Sequence, residues 1–336
     1  MKTRQLWFTK IGKVEIREAE LAELKEDQVQ VRALVSGISA GTEMLAYRGL
    51  LPKGLPLDAS ISSLQNQTTS YPFQYGYACV GLIEQVGHEQ FSHLLGKKVF
   101  AFHPHCSHFI ASPGNLILLN DDMPKEAGIF LANMETAMSL LIDGELKGDD
   151  TVAIMGLGVV GQLLAALLAS EPVKKLVLID SLDSRRKFAE LNAFAECLPS
   201  DQDVLKENIP SEGVELIYEL SGNPEALNTA IELAKFAGRI VVGSWYGNKP
   251  ANLNLGGKFH RNRLKIISSQ VSSIDPAHLN KWSRESRLQK AHESIPVIKP
   301  ERFITHRYKL DEAEKAYQLL DKNPEQALQV VFYYED

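Results

Sequence analysis

Three glycines at fixed spacing, Gly156, Gly158 and Gly161, form the sequence feature that most directly indicates chemistry. The first would permit a tight turn, the second would let the backbone approach a pyrophosphate, and the third would allow a helix to pack closely on a strand. Val159 and Val160 complete the turn, which opens a helix whose first N–H groups and positive dipole end attract phosphate oxygens. The pattern predicts a dinucleotide-binding site.

An acidic residue follows this turn at the spacing that a dinucleotide site requires. Asp180 lies nineteen residues after Gly161, at the end of the apolar run KKLVLID. Its carboxylate can accept hydrogen bonds from both hydroxyls of the adenosine ribose and would repel a 2′-phosphate, which favours NAD. NADP stays open, because Arg185 and Arg186 lie nearby and can accommodate a phosphate. In the alternative interpretation the glycines serve packing only and Asp180 is a surface or capping residue.

A second loop belongs to the same predicted site. Gly243 and Ser244 follow the apolar run RIVV, and loops at the carboxyl ends of parallel strands face the cofactor cleft. We therefore expect both residues to bind the cofactor, the alternative being a plain surface turn.

The elements that must position these residues alternate between strand and helix after Met123. The short apolar runs VAIM, LVLI, LIYEL, GRIVVG and LKIISS are typical of parallel strands buried on both faces. Helical patterns occupy 129–141, 162–169, 183–193 and 224–236. Repeated β-α-β units predict an α/β fold with a doubly wound parallel sheet.

The first 120 residues instead predict short strands, at 14–16, 29–35, 81–86, 98–102 and 107–111. An irregular stretch within this region, Pro52 to Tyr71, is predicted to cover the substrate. Near the C-terminus a helix is predicted with one apolar face, formed by Leu310, Ala313, Ala316, Tyr317 and Leu320, followed by the strand QALQVVFYY.

Composition excludes several classes of protein. The 336 residues are 44% hydrophobic and 23% charged, values that exclude disorder and coiled coils. The net charge of −6 is interspersed, so we expect no nucleic-acid or membrane partner. The uncharged run at 151–170 is long enough to span a bilayer, but its glycines divide it into a strand and a helix. The N-terminus lacks the apolar core of a signal peptide, so we expect a cytoplasmic protein.

Several segments resemble the medium-chain dehydrogenase/reductase superfamily of zinc alcohol dehydrogenases and quinone reductases. SGISAGTEMLAYRG resembles its CGTD segment, YPFQYGYACVGLIEQVG its GHE segment and GLGVVG its cofactor turn, and HPHCSHFIASPGN looks most like the bacteriochlorophyllide-dehydrogenase-like branch. The resemblance covers the whole chain. It implies a GroES-like β-rich catalytic domain at 1–123 and 300–336, a Rossmann nucleotide-binding domain at 124–299, NAD(P)-dependent oxidoreductase activity and a homodimer.

The zinc ligands of that superfamily are missing from the matching positions. Ala40 stands where the superfamily has a cysteine, Tyr77 where it has the histidine of GHE, and the third position falls near Leu131. Alanine has no ligand atom and a neutral tyrosine is a poor zinc ligand. The lobe with four cysteines is also absent, since the chain has three. We therefore predict that both zinc ions are missing.

The sequence leaves a rival metal site open. His103, His105, Cys106 and His108 are crowded into six residues, and each can ligate a metal. Their spacing matches no common zinc pattern. The alternative is a strand edge with partly exposed histidines, of which His105 and His108 are further candidates for proton relay.

Without zinc, a hydrogen-bond donor must stabilise charge on the substrate oxygen, and an ionisable group must move the proton. Tyr77 is the predicted donor, by its position in place of the zinc-binding histidine, and Ser39, Thr42 and Glu43 are predicted to orient the substrate or relay a proton. The alternatives are a core tyrosine for Tyr77 and a structural ion pair for Glu43.

Two further residues fall where the resemblance places the nicotinamide. Glu135 and Thr136 lie in the helical segment at the predicted domain junction. We expect them either to contact the cofactor or to satisfy local backbone groups.

The predicted function is hydride transfer between a nicotinamide and a secondary alcohol or ketone, on a small-molecule substrate. Two alternatives stay open: reduction of an activated C=C bond in an enone or quinone, and a cofactor-binding protein without catalysis.

Overall fold

The computed structural model describes residues 1–334 except 55, 59, 60, 62, 66, 67, 193 and 194. The chain divides into two compact units. The terminal unit comprises Met1–Ala132 and Lys299–Asp336, and the central unit comprises Asn133–Ile298. The predicted cover segment from Pro52 to Tyr71 includes six residues outside the described ones. Residue 193, at the end of the helix predicted at 183–193, also lies outside them.

Strands predominate in the terminal unit, whereas strands and helices alternate in the central unit. The strands are β1 (Lys2–Lys10), β2 (Lys13–Glu20), β3 (Val29–Gly37), β4 (Cys79–Val86), β5 (Lys98–Ala101), β6 (His108–Ala111), β7 (Leu116–Leu118), β8 (Thr151–Met155), β9 (Lys175–Ile179), β10 (Glu196–Leu198), β11 (Val214–Glu219), β12 (Ala234–Val242), β13 (Lys265–Ser268), β14 (Ile304–Lys309) and β15 (Gln329–Tyr333). The α-helices are α1 (Glu43–Tyr47), α2 (Lys125–Gly128), α3 (Leu131–Asp143), α4 (Val159–Leu168), α5 (Asp183–Leu191), α6 (Gln202–Asn208), α7 (Ala226–Leu233), α8 (Arg284–Ile298) and α9 (Ala313–Lys322).

The central unit is built on a parallel sheet with the strand order β10-β9-β8-β11-β12-β13. All five residues of β8 are buried, because a parallel sheet covered by helices hides both faces of its inner strands. Strand order reverses between β8 and β11, and ligands of doubly wound sheets bind beyond the carboxyl ends of the strands at this point. The predicted doubly wound fold is confirmed.

The terminal unit joins both ends of the chain in one mixed sheet. Its order is β14-β15-β3-β4-β5-β7, with β6 also paired to β3, and β1 and β2 form a separate antiparallel pair. Strand β15 runs antiparallel to β3, with Val331 opposite Gly37. The apolar face predicted for the last helix is buried in the core beside β1, where Phe8 packs edge-on against Tyr317 with ring centroids 5.3 Å apart.

Some element boundaries differ from the prediction. The helix predicted at 224–236 is α7, which ends at Leu233, and β12 begins with the next residue. Pairing of Ala234 with Val214 on β11 explains the difference, because a strand partner overrides local helical preference. Among the described residues, no helix has the length and apolar character needed to traverse a lipid bilayer.

Candidate functional site

The glycine turn after β8 has the tight geometry that the sequence predicts. Gly156 has a φ of +103°, and a Cβ atom there would lie 2.5 Å from the carbonyl carbon and oxygen of Leu220, the residue that follows β11. A Cβ atom on Gly161 would lie 2.0 Å from the carbonyl oxygen of Gly156. Neither position accepts a side chain, so the backbone of α4 packs directly on the end of β8.

The first turn of α4 leaves polar groups available to a ligand. Gly158 precedes this helix and Val159 and Val160 begin it, so their N–H groups have no acceptor within the helix. A Cβ atom on Gly158 would meet only Arg185 Nη1, at 3.3 Å. Arg185 Nε, a hydrogen-bond donor, is buried without a partner among the described residues. This cradle fits the pyrophosphate of a dinucleotide.

Asp180 braces the glycine turn from the end of β9. Its side chain is 7% exposed. Oδ2 accepts a hydrogen bond of 2.7 Å from the N–H of Leu157, and Oδ1 accepts one of 2.8 Å from the N–H of Leu182. Arg186 is engaged locally, because it donates to the carbonyl oxygen of Asp180 at 2.7 Å and to Asp183 at 3.2 Å. The ribose and bracing roles of Asp180 are compatible, since each carboxylate oxygen has a second lone pair.

A buried carboxylate that the sequence analysis did not single out, Glu219, ends β11 beside this turn. It is fully buried, and it accepts hydrogen bonds from the N–H of Ser221 at 2.8 Å and from the hydroxyl of Tyr246 at 2.5 Å. Ser244 Oγ accepts a hydrogen bond of 2.9 Å from the N–H of Gly222. Burial, followed by the hydrogen bond to Glu219, raises the pKa of Tyr246. The signal in the sequence was an acidic residue closing the apolar run LIYE.

The predicted loop residues Gly243 and Ser244 lie at the ends of the same strands. A Cβ atom on Gly243 would lie 2.6 Å from Leu220 Cδ2 and 2.7 Å from Leu140 Cδ2. The N–H of Gly243 donates to the carbonyl oxygen of Glu219 at 3.0 Å. The structure therefore brings this loop together with the glycine turn, at the carboxyl edge of the sheet.

The structure assigns Glu135 a partner that the sequence did not suggest. Arg287 on α8 is fully buried and donates to Glu135 Oε1 at 2.7 Å and to the carbonyl oxygens of Ser273 and Val271 at 3.0 and 2.5 Å. Glu135 is thus half of a buried ion pair within the central unit. Thr136, the next residue on α3, is half-buried.

In the terminal unit, Tyr77, Ser39 and Thr42 bring their hydroxyl groups together; we call these three residues the hydroxyl cluster. The Tyr77 hydroxyl donates to Ser39 Oγ at 2.5 Å and lies 3.3 Å from Thr42 Oγ1. All three residues are half-buried. Burial raises the pKa of Tyr77, although the hydrogen bonds with Ser39 and Thr42 oppose the shift. Tyr77 is therefore a protonated donor at neutral pH.

Glu43, the fourth predicted catalytic residue, faces the interior. It is fully buried. Its Oε1 accepts a hydrogen bond of 2.8 Å from the N–H of Ser39, while Oε2 lies 3.0 Å from His105 Nε2 and accepts a hydrogen bond from the Tyr317 hydroxyl. The structural alternative for Glu43 thus has a specific hydrogen-bonding partner in His105. Gly76 makes room for that ring, because a Cβ atom there would lie 2.8 Å from His105 Nε2.

The four crowded histidine and cysteine residues do not converge on one point. His103 stacks on the ring of Phe109, with centroids 4.0 Å apart, and lies 3.4 Å from Cys106 Sγ. His105 points to Glu43, and His108 lies 3.1 Å from Ser107 Oγ. In the part of the chain that the structure describes, no three His, Cys, Asp or Glu side chains are grouped so that they can hold a metal.

The site that holds zinc in the resembled superfamily does not fit a zinc ion here. Ala40 has no ligand atom, Tyr77 is hydrogen-bonded to Ser39, and both carboxylate oxygens of Glu43 are taken up by internal donors.

Comparison with known proteins gives consistent matches. Residues 159–287 match the family model described as "Zinc-binding dehydrogenase". The D-guloside 3-dehydrogenase of Escherichia coli (strain K12) is 24% identical over 326 residues, which cover 90% of this chain and 92% of that protein. The structure of the alcohol dehydrogenase RspB from Escherichia coli CFT073, complexed with NADH, has a TM-score of 0.80 at 18% identity and covers 99% of both chains. That of 2R,3R-butanediol dehydrogenase from Bacillus subtilis has a TM-score of 0.78 at 17% identity, covering 99% of this chain and 100% of its own.

Proposed function

We propose that this chain is a nicotinamide-dependent oxidoreductase of the medium-chain dehydrogenase/reductase superfamily, and that it transfers hydride between NAD and a secondary alcohol or ketone without a catalytic metal. The observation that carries the proposal is the hydroxyl cluster. It stands where the superfamily resemblance places a zinc ligand, and it offers neutral hydrogen-bond donors in place of a cation.

The hydroxyl cluster can carry out the acid–base part of the reaction. A bound nicotinamide supplies or accepts the hydride. Tyr77 can turn its O–H from Ser39 to the substrate oxygen, because the hydroxyls of Ser39 and Thr42 can then donate to Tyr77 in return. The raised pKa keeps the tyrosine proton in place until charge develops on the substrate. In ketone reduction Tyr77 thus stabilises the oxyanion and gives it a proton, and Ser39 and Thr42 relay a replacement proton from water to Tyr77; alcohol oxidation runs the same transfers in reverse.

The substrate that we propose is a small molecule with a secondary hydroxyl group. The names of two similar proteins support this class, since one acts on a D-guloside and the other on 2R,3R-butanediol. NAD rather than NADP is proposed as the coenzyme, because Asp180 presents a carboxylate at the end of β9, where a 2′-phosphate would be repelled.

The experiment that tests the proposal combines metal analysis with one substitution. We expect purified protein to contain well under one equivalent of zinc, and its turnover with a panel of glycosides, diols and ketones to survive dialysis against a chelator. Tyr77→Phe should lower kcat by about 100-fold, the cost of losing one oxyanion donor, with NADH affinity unchanged. Tyr47→Phe is the matched control, because that buried tyrosine packs on Tyr317 and not on Ser39.

Four results would contradict the proposal. Stoichiometric zinc whose removal abolishes turnover would show that a metal, and not the hydroxyl cluster, stabilises the charge on the substrate oxygen. Equal activity of Tyr77→Phe and Tyr47→Phe would return Tyr77 to a packing role. Turnover confined to enones or quinones would assign C=C reduction instead, and NADH binding without turnover of any class would indicate a protein that has lost catalysis.

A further inference from the structure

A chain of buried polar groups lies behind the hydroxyl cluster, and we propose that His105 and Glu43 are positioning residues that fix Ser39, and through it Tyr77. The inference deepens the proposed function and rests on it for the catalytic consequence. Both residues are fully buried, so neither can touch a substrate.

The contact from Glu43 to Ser39 is reciprocal and therefore restrictive. The N–H of Ser39 donates to Glu43 Oε1 at 2.8 Å, and the N–H of Glu43 donates to the carbonyl oxygen of Ser39, also at 2.8 Å. Two hydrogen bonds across one turn hold the Ser39 backbone in place. Ser39 Oγ lies 2.5 Å from the Tyr77 hydroxyl, so a displacement of this turn would move the partner of the proposed donor.

The other side of the Glu43 carboxylate is fixed by His105. A carboxylate only accepts hydrogen bonds, so His105 Nε2 must carry the proton that it directs to Glu43 Oε2 at 3.0 Å. Ser36 Oγ lies 2.7 Å from the other ring nitrogen, Nδ1. Ser36 Oγ is also 2.7 Å from the Tyr334 hydroxyl. Ser36 thus links the His105 ring to Tyr334 and has a polar partner on both sides.

Burying the Glu43 carboxylate costs free energy, and this cost indicates that the carboxylate has a function. A buried carboxylate is unfavourable unless several donors satisfy it, and Glu43 needs Ser39, His105 and Tyr317 for this. Gly76 also has to be a glycine with a φ of +113°, since the His105 ring occupies the place of its Cβ atom. An apolar core would avoid both demands, but it would leave the Ser39 turn without its acceptor.

The test uses a matched pair of substitutions that separate the two contacts of one ring. His105→Gln places an amide where Nε2 lies and can still donate to Glu43. His105→Asn places its amide where Nδ1 lies and reaches only towards Ser36. We expect the Gln variant to retain kcat within about threefold and the Asn variant to lose about tenfold or more, the scale of a small misplacement in an active site. The KM for NADH should stay unchanged in both.

Hydrogen exchange supplies a readout that needs no substrate. The Ser39 amide is protected by Glu43, so its exchange should accelerate at least tenfold in His105→Asn and stay slow in His105→Gln, whereas the strands of the central unit should be unaffected. Val14→Ala is the control for loss of stability alone, because Val14 on β2 is buried in the same core and takes part in none of the hydrogen bonds that hold Glu43. That variant should lower the unfolding temperature without a selective effect at Ser39.

The failure of the inference and the failure of the proposed function are distinguishable. Equal exchange at Ser39 in the Gln and Asn variants would overturn the positioning role, whatever the activity. Selective exchange at Ser39 in an enzyme that turns over no alcohol or ketone would retain the structural link and refute the function. The double variant His105→Asn, Ser39→Ala should have the same kcat as Ser39→Ala, because His105 acts through Ser39; additive losses would contradict the inference.

Discussion

Replacement of Asp180 by asparagine separates the two roles that its position allows. The carboxylate braces the glycine turn through the N–H groups of Leu157 and Leu182, at 2.7 and 2.8 Å. In the proposed function it also binds the adenosine ribose and repels a 2′-phosphate. Asparagine keeps the size of the side chain and one acceptor oxygen but places an NH₂ group against a backbone donor.

The role in holding the glycine turn predicts an effect on the free energy of unfolding, whereas the role in binding the ribose predicts an effect on the preference for NADH over NADPH. A hydrogen bond to a charged group contributes about 1.5–3 kcal/mol, so Asp180→Asn should lower the free energy of unfolding by about that amount. A carboxylate and a 2′-phosphate charge about 5 Å apart repel each other by about 1–2 kcal/mol at an effective dielectric constant of about 40–80. Removing the charge of Asp180 should therefore narrow the preference for NADH over NADPH by about 5- to 30-fold.

The assay is fluorescence titration of both reduced coenzymes, together with urea unfolding of the same samples. Asp183→Asn is the matched control, because it also removes one negative charge, three residues along the chain from Asp180. The Asp183 side chain is exposed and pairs with Arg186 and Lys187. This control should leave both quantities nearly unchanged. If Asp180→Asn lowers stability as expected but leaves the NADH to NADPH ratio unchanged, Asp180 is a brace only and the argument for NAD is refuted.

Three further predictions concern other parts of the fold. Arg287→Met leaves Glu135 buried without its cation, and it should lower the free energy of unfolding in urea by about 3–5 kcal/mol. Gly161→Ala places a Cβ atom 2.0 Å from a backbone oxygen and should abolish NADH binding in the same titration, whereas the control Gly148→Ala, with no atom closer than 3.8 Å, should bind normally. Burial lowers the pKa of His103 from 6.5 to about 4, so the unfolded chain binds a proton that the folded chain excludes, and stability should fall as the pH falls through this range. The variant His103→Gln should show a weaker dependence on pH in unfolding experiments.

The cofactor turn could be predicted from the sequence because its requirements are local. Gly156 and Gly161 are needed for backbone contacts within one β-α unit, and the spacing to Asp180 follows from the length of that unit. The continuous apolar runs likewise predicted the parallel strands, since burial on both faces leaves no polar alternation.

The partners of the buried charged groups could not be predicted in the same way. Glu43 and His105 are 62 residues apart, and Glu135 and Arg287 are 152 apart, so each pair depends on how distant elements pack. The helix α8 was also missed. Its apolar positions show weak periodicity and it contains Pro296, which ordinarily disfavours a helix interior.

The burial of Glu43 also bears on how a site without zinc could work. A cation can stabilise an alkoxide that persists, whereas neutral hydroxyls stabilise it less, so the proton has to arrive nearly together with the hydride. A carboxylate facing the hydroxyl cluster would oppose that charge and raise the barrier. In this chain the carboxylate of Glu43 is turned inward and all its described partners are donors, namely Ser39, His105 and Tyr317. These internal donors therefore have two effects. They satisfy the buried carboxylate of Glu43, and they hold it facing away from the place where negative charge would develop on a substrate.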